Sequence, residues 1–213
     1  MKETHRRDAI LNERRKRRPE GMGMDRHLVE RAQHGDHDAF DKLATEAFPR
    51  LWSIARRVTG DHHLAEDAVQ DCLVRAWRNL RALRDPERLD AWLYRLLVNA
   101  CRDQGRATRR SSGDVVTELQ DVADEYDGSV HVELRDQLDR GFARLTVEHR
   151  AALVLHHVLG LRSREIAAVL GIPEGTVVSR LHYALRAMRR ELEADLKLEA
   201  DLQLAPAAPR GDD

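Results

Sequence analysis

Apolar residues recur along this 213-residue chain with a helical period almost wherever they occur. From Ala65 they fall at positions 65, 68, 69, 72, 73 and 76, while Glu66, Asp67, Gln70, Asp71, Val74 and Arg75 make up the other face. A stripe at that spacing predicts an amphipathic helix with one side buried. The spacing returns in Leu89, Trp92, Leu93, Leu96, Leu97 and Ala100, which leaves Tyr94, Arg95, Asn99 and Arg102 facing outward. Upstream, Asp25 to His34 reads as a short helix closed by Gly35, and Asp36 can cap the next, which carries Phe40, Leu43, Ala44 and Ala47. Pro49 is expected to kink that helix or to start a new one running to Val58. Gly60 with Asp61, and later Asp85 with Pro86, mark further breaks.

A second block of the same kind begins near Val132. Leu134, Leu138, Phe142 and Leu145 form one stripe, and Thr146 can cap a helix that buries Leu153, Val154 and Val158 and stops at Gly160. Ser163 is expected to cap a short helix bearing Ile166, Ala167 and Leu170. Gly171 then supplies a left-handed stop, and Pro173 prevents continuation. From about Glu174 the apolar positions 177, 181, 184, 185, 188 and 192 give a long buried stripe. Two helices joined by so tight a turn make a helix-turn-helix.

Composition adds to this pattern. Aromatics are only 4 % and charged residues 34 %, with Leu, Ala, Arg and Glu abundant, so the fold class is all-α. No window is long and apolar enough to span a bilayer, and the basic N-terminus has no apolar run behind it, so neither membrane insertion nor secretion is expected and the protein is placed in the cytoplasm. Cys72 and Cys101 sit inside helical stripes and read as buried thiols.

The net charge of −1 hides strong segregation. Residues 1–20 carry eight Lys/Arg against four acids, while 111–132 carry six acids and no Lys or Arg. The chain therefore divides into a basic, disordered arm (1–24), a helical domain (25–110), an acidic flexible linker (111–131), a second helical domain (132–194) and a disordered tail (195–213).

A helix-turn-helix lays the N-terminal part of its second helix against base edges in the major groove. The residues placed there are Thr176, Val178, Ser179, Arg180, His182 and Arg186, with Arg164 on the helix before. Arg180 can contact a guanine through two hydrogen bonds, and Thr176 or Ser179 can reach bases or phosphates. Histidine pairs at 62/63 and 156/157 point to different sides of a helix and lack a third ligand, so no metal site, cofactor or enzyme activity is expected.

Three stretches, LAEDAVQDCLVRAW, LDAWLYRLLVNACRD and GLRSREIAAVLGIPEGTVVSRLHYALRAM, together resemble in order and spacing the two conserved regions of the extracytoplasmic-function sigma factors of the sigma-70 family. The resemblance covers about residues 25 to 110 and 132 to 192. It implies a non-catalytic subunit that binds core RNA polymerase and directs it to promoter DNA, with an anti-sigma factor as a further possible partner.

On that resemblance, Asp67, Gln70, Asp71, Val74 and Arg75 bind core polymerase. Asn79, Arg81, Arg84, Trp92, Tyr94, Arg95, Asn99 and Arg102 bind the minus-ten element, where one base is held out of the stack. The helix-turn-helix residues bind the minus-thirty-five element. Leu83 and Leu89 stand where many members carry aromatics, and Val178 and Tyr183 where many carry basic residues. The acidic linker is either a solvated tether or a polyanion lying along the basic polymerase channel. The alternative is a helix-turn-helix regulator acting without polymerase. A two-component regulator would need an α/β receiver, which the helical periods of residues 25–110 do not provide.

Overall fold

The computed structural model describes residues 25–112 and 138–204, with side chains described over 25–108 and 138–194. The expected arm lies outside these residues, as do 113–131 of the expected linker. The elements are α1 (Arg26–Gln33), α2 (His37–Thr59), α3 (His62–Asn79), single 3-10 turns at Leu80–Ala82 and Pro86–Arg88, α4 (Leu89–Ser112), α5 (Val147–His157), α6 (Ser163–Leu170) and α7 (Glu174–Leu204). A helical segment over 138–143 precedes α5, and no strand occurs among the described residues.

The starts of α1, α2, α3, α5 and the second 3-10 turn are each fixed by a short polar side chain that satisfies an otherwise orphaned amide. Asp25, Asp36 and Asp61 accept from the amides of His27, Ala39 and Leu64 at 2.9, 3.0 and 2.8 Å. Asp85 accepts from Glu87 at 3.1 Å, and Thr146 from His149 at 3.4 Å. At α6 the expectation is corrected. Ser163 is the first helical residue rather than the cap, and the Glu165 carboxylate instead reaches back to the amide of Arg162 at 2.7 Å.

Pro49 neither breaks α2 nor starts a helix, because α2 continues through it. The carbonyl that loses its partner belongs to Thr45, and both residues lie on the exposed face where water can substitute. Leu43 and Ala47 before the proline, and Leu51, Ile54, Ala55 and Val58 after it, bury into the same core. Both halves of the helix therefore share one buried face. The last helix runs on to Leu204, past the boundary drawn at 194, and 205–213 lie outside the described residues.

α2, α3 and α4 pack on one another with α1 across one end, and α6 and α7 pack around α5. The two halves also meet, since α2 and α4 lie against α5 and α4 against α6. The approach is close: a Cβ on Gly105 would stand 3.1 Å from Val147 Cγ2. Arg150 Nη1 donates to the carbonyl of Thr59 at 2.8 Å, and Arg102 Nε to Glu148 Oε1 at 3.3 Å.

This wrapping corrects one sequence expectation. Tyr94, assigned to the outer face of α4, is 7 % exposed, and the Arg50 guanidinium lies 5.5 Å from its ring centre. A helix covered on several sides buries more than one stripe, so Tyr94 and Val98 go inside along with Leu89, Leu93 and Leu97. Tyr94 is packed in the core in this arrangement.

Candidate nucleic-acid interface

On the outer face of α3, Asp67 and Gln70 are exposed, with Asp71 and Arg75 half-buried and Val74 45 % exposed. An exposed valine amid carboxylates leaves an apolar spot for a partner. Arg75 is held on both sides, by Asp71 at 2.6 Å and by Asp103 of α4 at 2.9 Å. The Asp103 bond first, and then Asp71, outweigh partial burial and raise the guanidinium above its ordinary value. Asp103 went unnoticed in the sequence because its role depends on the fold bringing residues 75 and 103, on different helices, together.

Asn79 ends α3, and the loop beyond it carries Arg81 and Arg84. Asn79 turns back and donates to the carbonyl of Arg75 at 2.8 Å. Arg81 and Arg84 are exposed, and the Arg81 guanidinium approaches Gly35 so closely that a Cβ there would meet it at 3.2 Å. The loop backbone is fixed from α1, where the Gln33 amide donates to the carbonyls of Leu80 and Leu83 at 3.1 and 2.6 Å. Gln33 is a second residue that sequence reasoning missed, because nothing local marks a contact across so many residues. Leu83 and Leu89 are buried, so they pack the loop down instead of offering rings or side chains to bases.

On α4, Trp92 and Asn99 are half-buried and Arg95 is exposed. The two cations on this helix assigned to the minus-ten element both face the second half of the chain. A Cβ on Gly171 would stand 3.2 Å from Arg95 Nη2, and Arg102 pairs with Glu148. Burial pushes the Glu148 carboxyl up, but its own backbone amide, the Thr146 hydroxyl and Arg102 together hold it below its usual value.

In the helix-turn-helix, α6 ends where Gly171 adopts φ +66°, a backbone state that costs any Cβ-bearing residue strain. Ile166 and Val169 of α6 bury against Val177, Leu181 and Ala184 of α7. Ser179, His182 and Arg186 lie on the opposite face of α7 and are exposed, as are Val178 on one flank and Arg164 on α6. Thr176 and Arg180 are half-buried on the other flank. Ser179 Oγ donates to the carbonyl of Thr176 at 3.0 Å, which leaves its lone pairs available as acceptors.

That second flank also carries Tyr183, which is 53 % exposed and stacked on His149 of α5, with ring centres 4.6 Å apart and planes inclined by 22°. His149 Nδ1 lies 2.9 Å from Thr146 Oγ1. Burial first, and then the nearby Arg180 charge, depress the imidazole below its ordinary value.

Among the described residues no group of three or more His, Cys, Asp or Glu side chains could hold a metal ion, and no helix is long and apolar enough to cross a membrane. Cys72 and Cys101 are buried, and burial pushes both thiols up to about 12.

Known proteins align with both halves of this arrangement. The Sigma-70 region 2 family model matches residues 43–111, and that of Sigma-70, region 4 matches residues 135–188. The chain is 39 % identical over 149 residues to the ECF RNA polymerase sigma factor SigL of Mycobacterium tuberculosis, an alignment covering 67 % of this chain and 82 % of that one. It is 31 % identical over 183 residues to the ECF RNA polymerase sigma-E factor of Escherichia coli, covering 79 % and 94 %. Among solved structures, it superposes on the sigma factor RpoE in complex with the anti-sigma factor NepR from Bartonella quintana with a TM-score of 0.60, at 27 % identity and over 73 % of this chain and 98 % of that one. CnrH in complex with the cytosolic domain of CnrY gives a TM-score of 0.58 at 28 % identity, over 80 % and 98 %.

Proposed function

Because this chain belongs to the extracytoplasmic-function sigma factors of the sigma-70 family, we propose that its two helical halves are the parts that bind core RNA polymerase and promoter DNA. The chain is an RNA polymerase sigma factor, a promoter-recognition subunit. It carries no catalytic step of its own and works in the cytoplasm.

The reading assigns three surfaces. Asp67, Gln70, Asp71, Val74 and Arg75 dock on core polymerase, with Asp103 orienting Arg75. Asn79, Arg81, Arg84, Arg95, Asn99 and Arg102, with the half-buried Trp92 beside them, take the non-template strand of the minus-ten element. Thr176, Val178, Ser179, Arg180, His182 and Arg186, with Arg164 from α6, take the minus-thirty-five element in the major groove. Residues 25–110 and 132–194 are the two working units, the segment between them is their tether, and an anti-sigma factor competes for these surfaces.

The observation that carries the reading is the solvent-facing row Ser179, His182 and Arg186 on α7, opposite the stripe that seats this helix on α6. Such a helix is presented for insertion into a groove. The test is transcription in vitro. Core polymerase with the purified chain should start RNA at one position on a promoter template and at none without it. Sequence-specific DNA binding by the chain alone, with no transcription when core polymerase is added, would instead establish a regulator that works without polymerase.

A further inference from the structure

Tyr183 is a large aromatic left 53 % exposed on the helix assigned to the major groove. Its ring is not free to sweep the surface, because one face lies on His149. His149 is itself fixed. It occupies the first turn of α5, its amide donates to Thr146 Oγ1, and its Nδ1 lies 2.9 Å from the same oxygen. Two contacts to one oxygen hold the imidazole in place beneath the tyrosine ring.

Two rings held in this way form a rigid step at the edge of the groove-facing row. Tyr183 follows Ser179 by one helical turn and stands on the flank shared with Arg180. A preorganised ring loses little conformational freedom on contact, so the contact retains most of its free energy.

Chemistry then selects the target. Base edges in the major groove are hydrogen-bond donors and acceptors with one apolar exception, the C5-methyl group of thymine. We propose that Tyr183 is a specificity-determining residue that reads a thymine C5-methyl group in the upstream promoter element, with His149 of α5 as its positioning residue. This deepens the sigma-factor reading and rests on it. It also places one determinant of promoter choice outside the helix-turn-helix.

The experiment uses the full chain assembled with core RNA polymerase. Binding sites are first enriched from random-sequence duplexes, and each thymine of the selected upstream element is then replaced singly by deoxyuridine, which removes only the methyl group. Wild type should lose affinity about fourfold at one thymine, the value of a single methyl taken from water. Tyr183→Phe should keep that sensitivity and Tyr183→Ala should abolish it. His149→Ala should shrink it to less than about twofold, and His149→Phe, which preserves a stacked ring, should restore it.

If no deoxyuridine replacement weakens the wild type, the proposal is overturned without any variant being needed. It is equally overturned if Tyr183→Ala retains the methyl sensitivity, or if it lowers affinity for all sequences alike, as loss of a phosphate contact would. Failure to enrich any sequence would instead bring down the promoter-binding reading, and this inference with it.

Discussion

Replacing Glu148 by Gln should increase the affinity of the free protein for single-stranded minus-ten DNA. Arg102 is assigned to that strand, yet its guanidinium is paired with Glu148 across the two halves of the chain. Any phosphate it binds must displace the carboxylate. The pair is a single bond of 3.3 Å between side chains that are 30 % and 29 % exposed, so solvent screens it and it contributes about 0.5 to 1 kcal/mol. Neutralising Glu148 should therefore raise affinity about two- to fivefold. Fluorescence anisotropy with a labelled non-template oligonucleotide measures this directly, and Arg102→Ala provides the control background, in which Glu148→Gln should change nothing. Acid gives an independent approach. The folded protein holds Glu148 below its usual value, so the pair persists above the ordinary carboxylate range and is lost as pH falls through the lower folded value. Wild type and Glu148→Gln should converge there. An unchanged affinity, or an equal gain in the Arg102→Ala background, would refute this reasoning.

Three further outcomes are expected. Asp67→Arg combined with Asp71→Arg should abolish co-purification with core polymerase while circular dichroism stays unchanged, because the reversed charges lie outside the buried stripe of α3. Arg180→Ala should cost about 1 to 3 kcal/mol on the preferred upstream sequence and much less on a scrambled one; equal losses, with a salt slope lower by about one unit, would make Arg180 a phosphate clamp. The fold holds the His149 imidazole below its ordinary value, so the unfolded chain takes up the proton more readily, and stability should decline as pH falls through about 6.5. Urea denaturation across that range should show the decline in wild type and a flatter profile in His149→Phe.

Local chemistry was largely legible in the sequence, with the start of α6 the exception, where Glu165 and not Ser163 serves the free amide. Asp36 and Thr146 cap helices as their positions suggest, because a short oxygen-bearing side chain has one nearby amide to serve, and Gly35, Gly60, Gly160 and Gly171 all adopt positive φ. The turn between α6 and α7 followed from Gly171 and Pro173 alone. What escaped depended on partners distant in sequence. Tyr94 reads as outward on a two-sided helix and is buried because α4 is covered from several directions. Pro49 reads as a kink or a new start, and no new helix starts there because a common core on both sides of it outweighs one lost hydrogen bond. Gln33 on the loop carbonyls, Asp103 on Arg75 and Glu148 on Arg102 are pairings created by the fold. Tyr183 was visible as a departure from the usual basic residue, but its role required His149 to be found beneath it.

The bond from Arg150 to Thr59 has a consequence for mutational scanning. Its acceptor is a main-chain carbonyl at the end of α2, where the helix dipole concentrates negative charge. The Thr59 side chain is occupied elsewhere, donating to the carbonyl of Ala55 at 2.9 Å. Every residue type offers the same carbonyl, so substitution at position 59 leaves the acceptor itself in place, and a side-chain scan at that position would not report this bond. Only changes at position 150 remove the donor. This bond is thus insensitive to the side chain at one of its ends and dependent on it at the other, so Arg150→Ala is expected to loosen the contact between the two halves while Thr59 variants leave the acceptor in place.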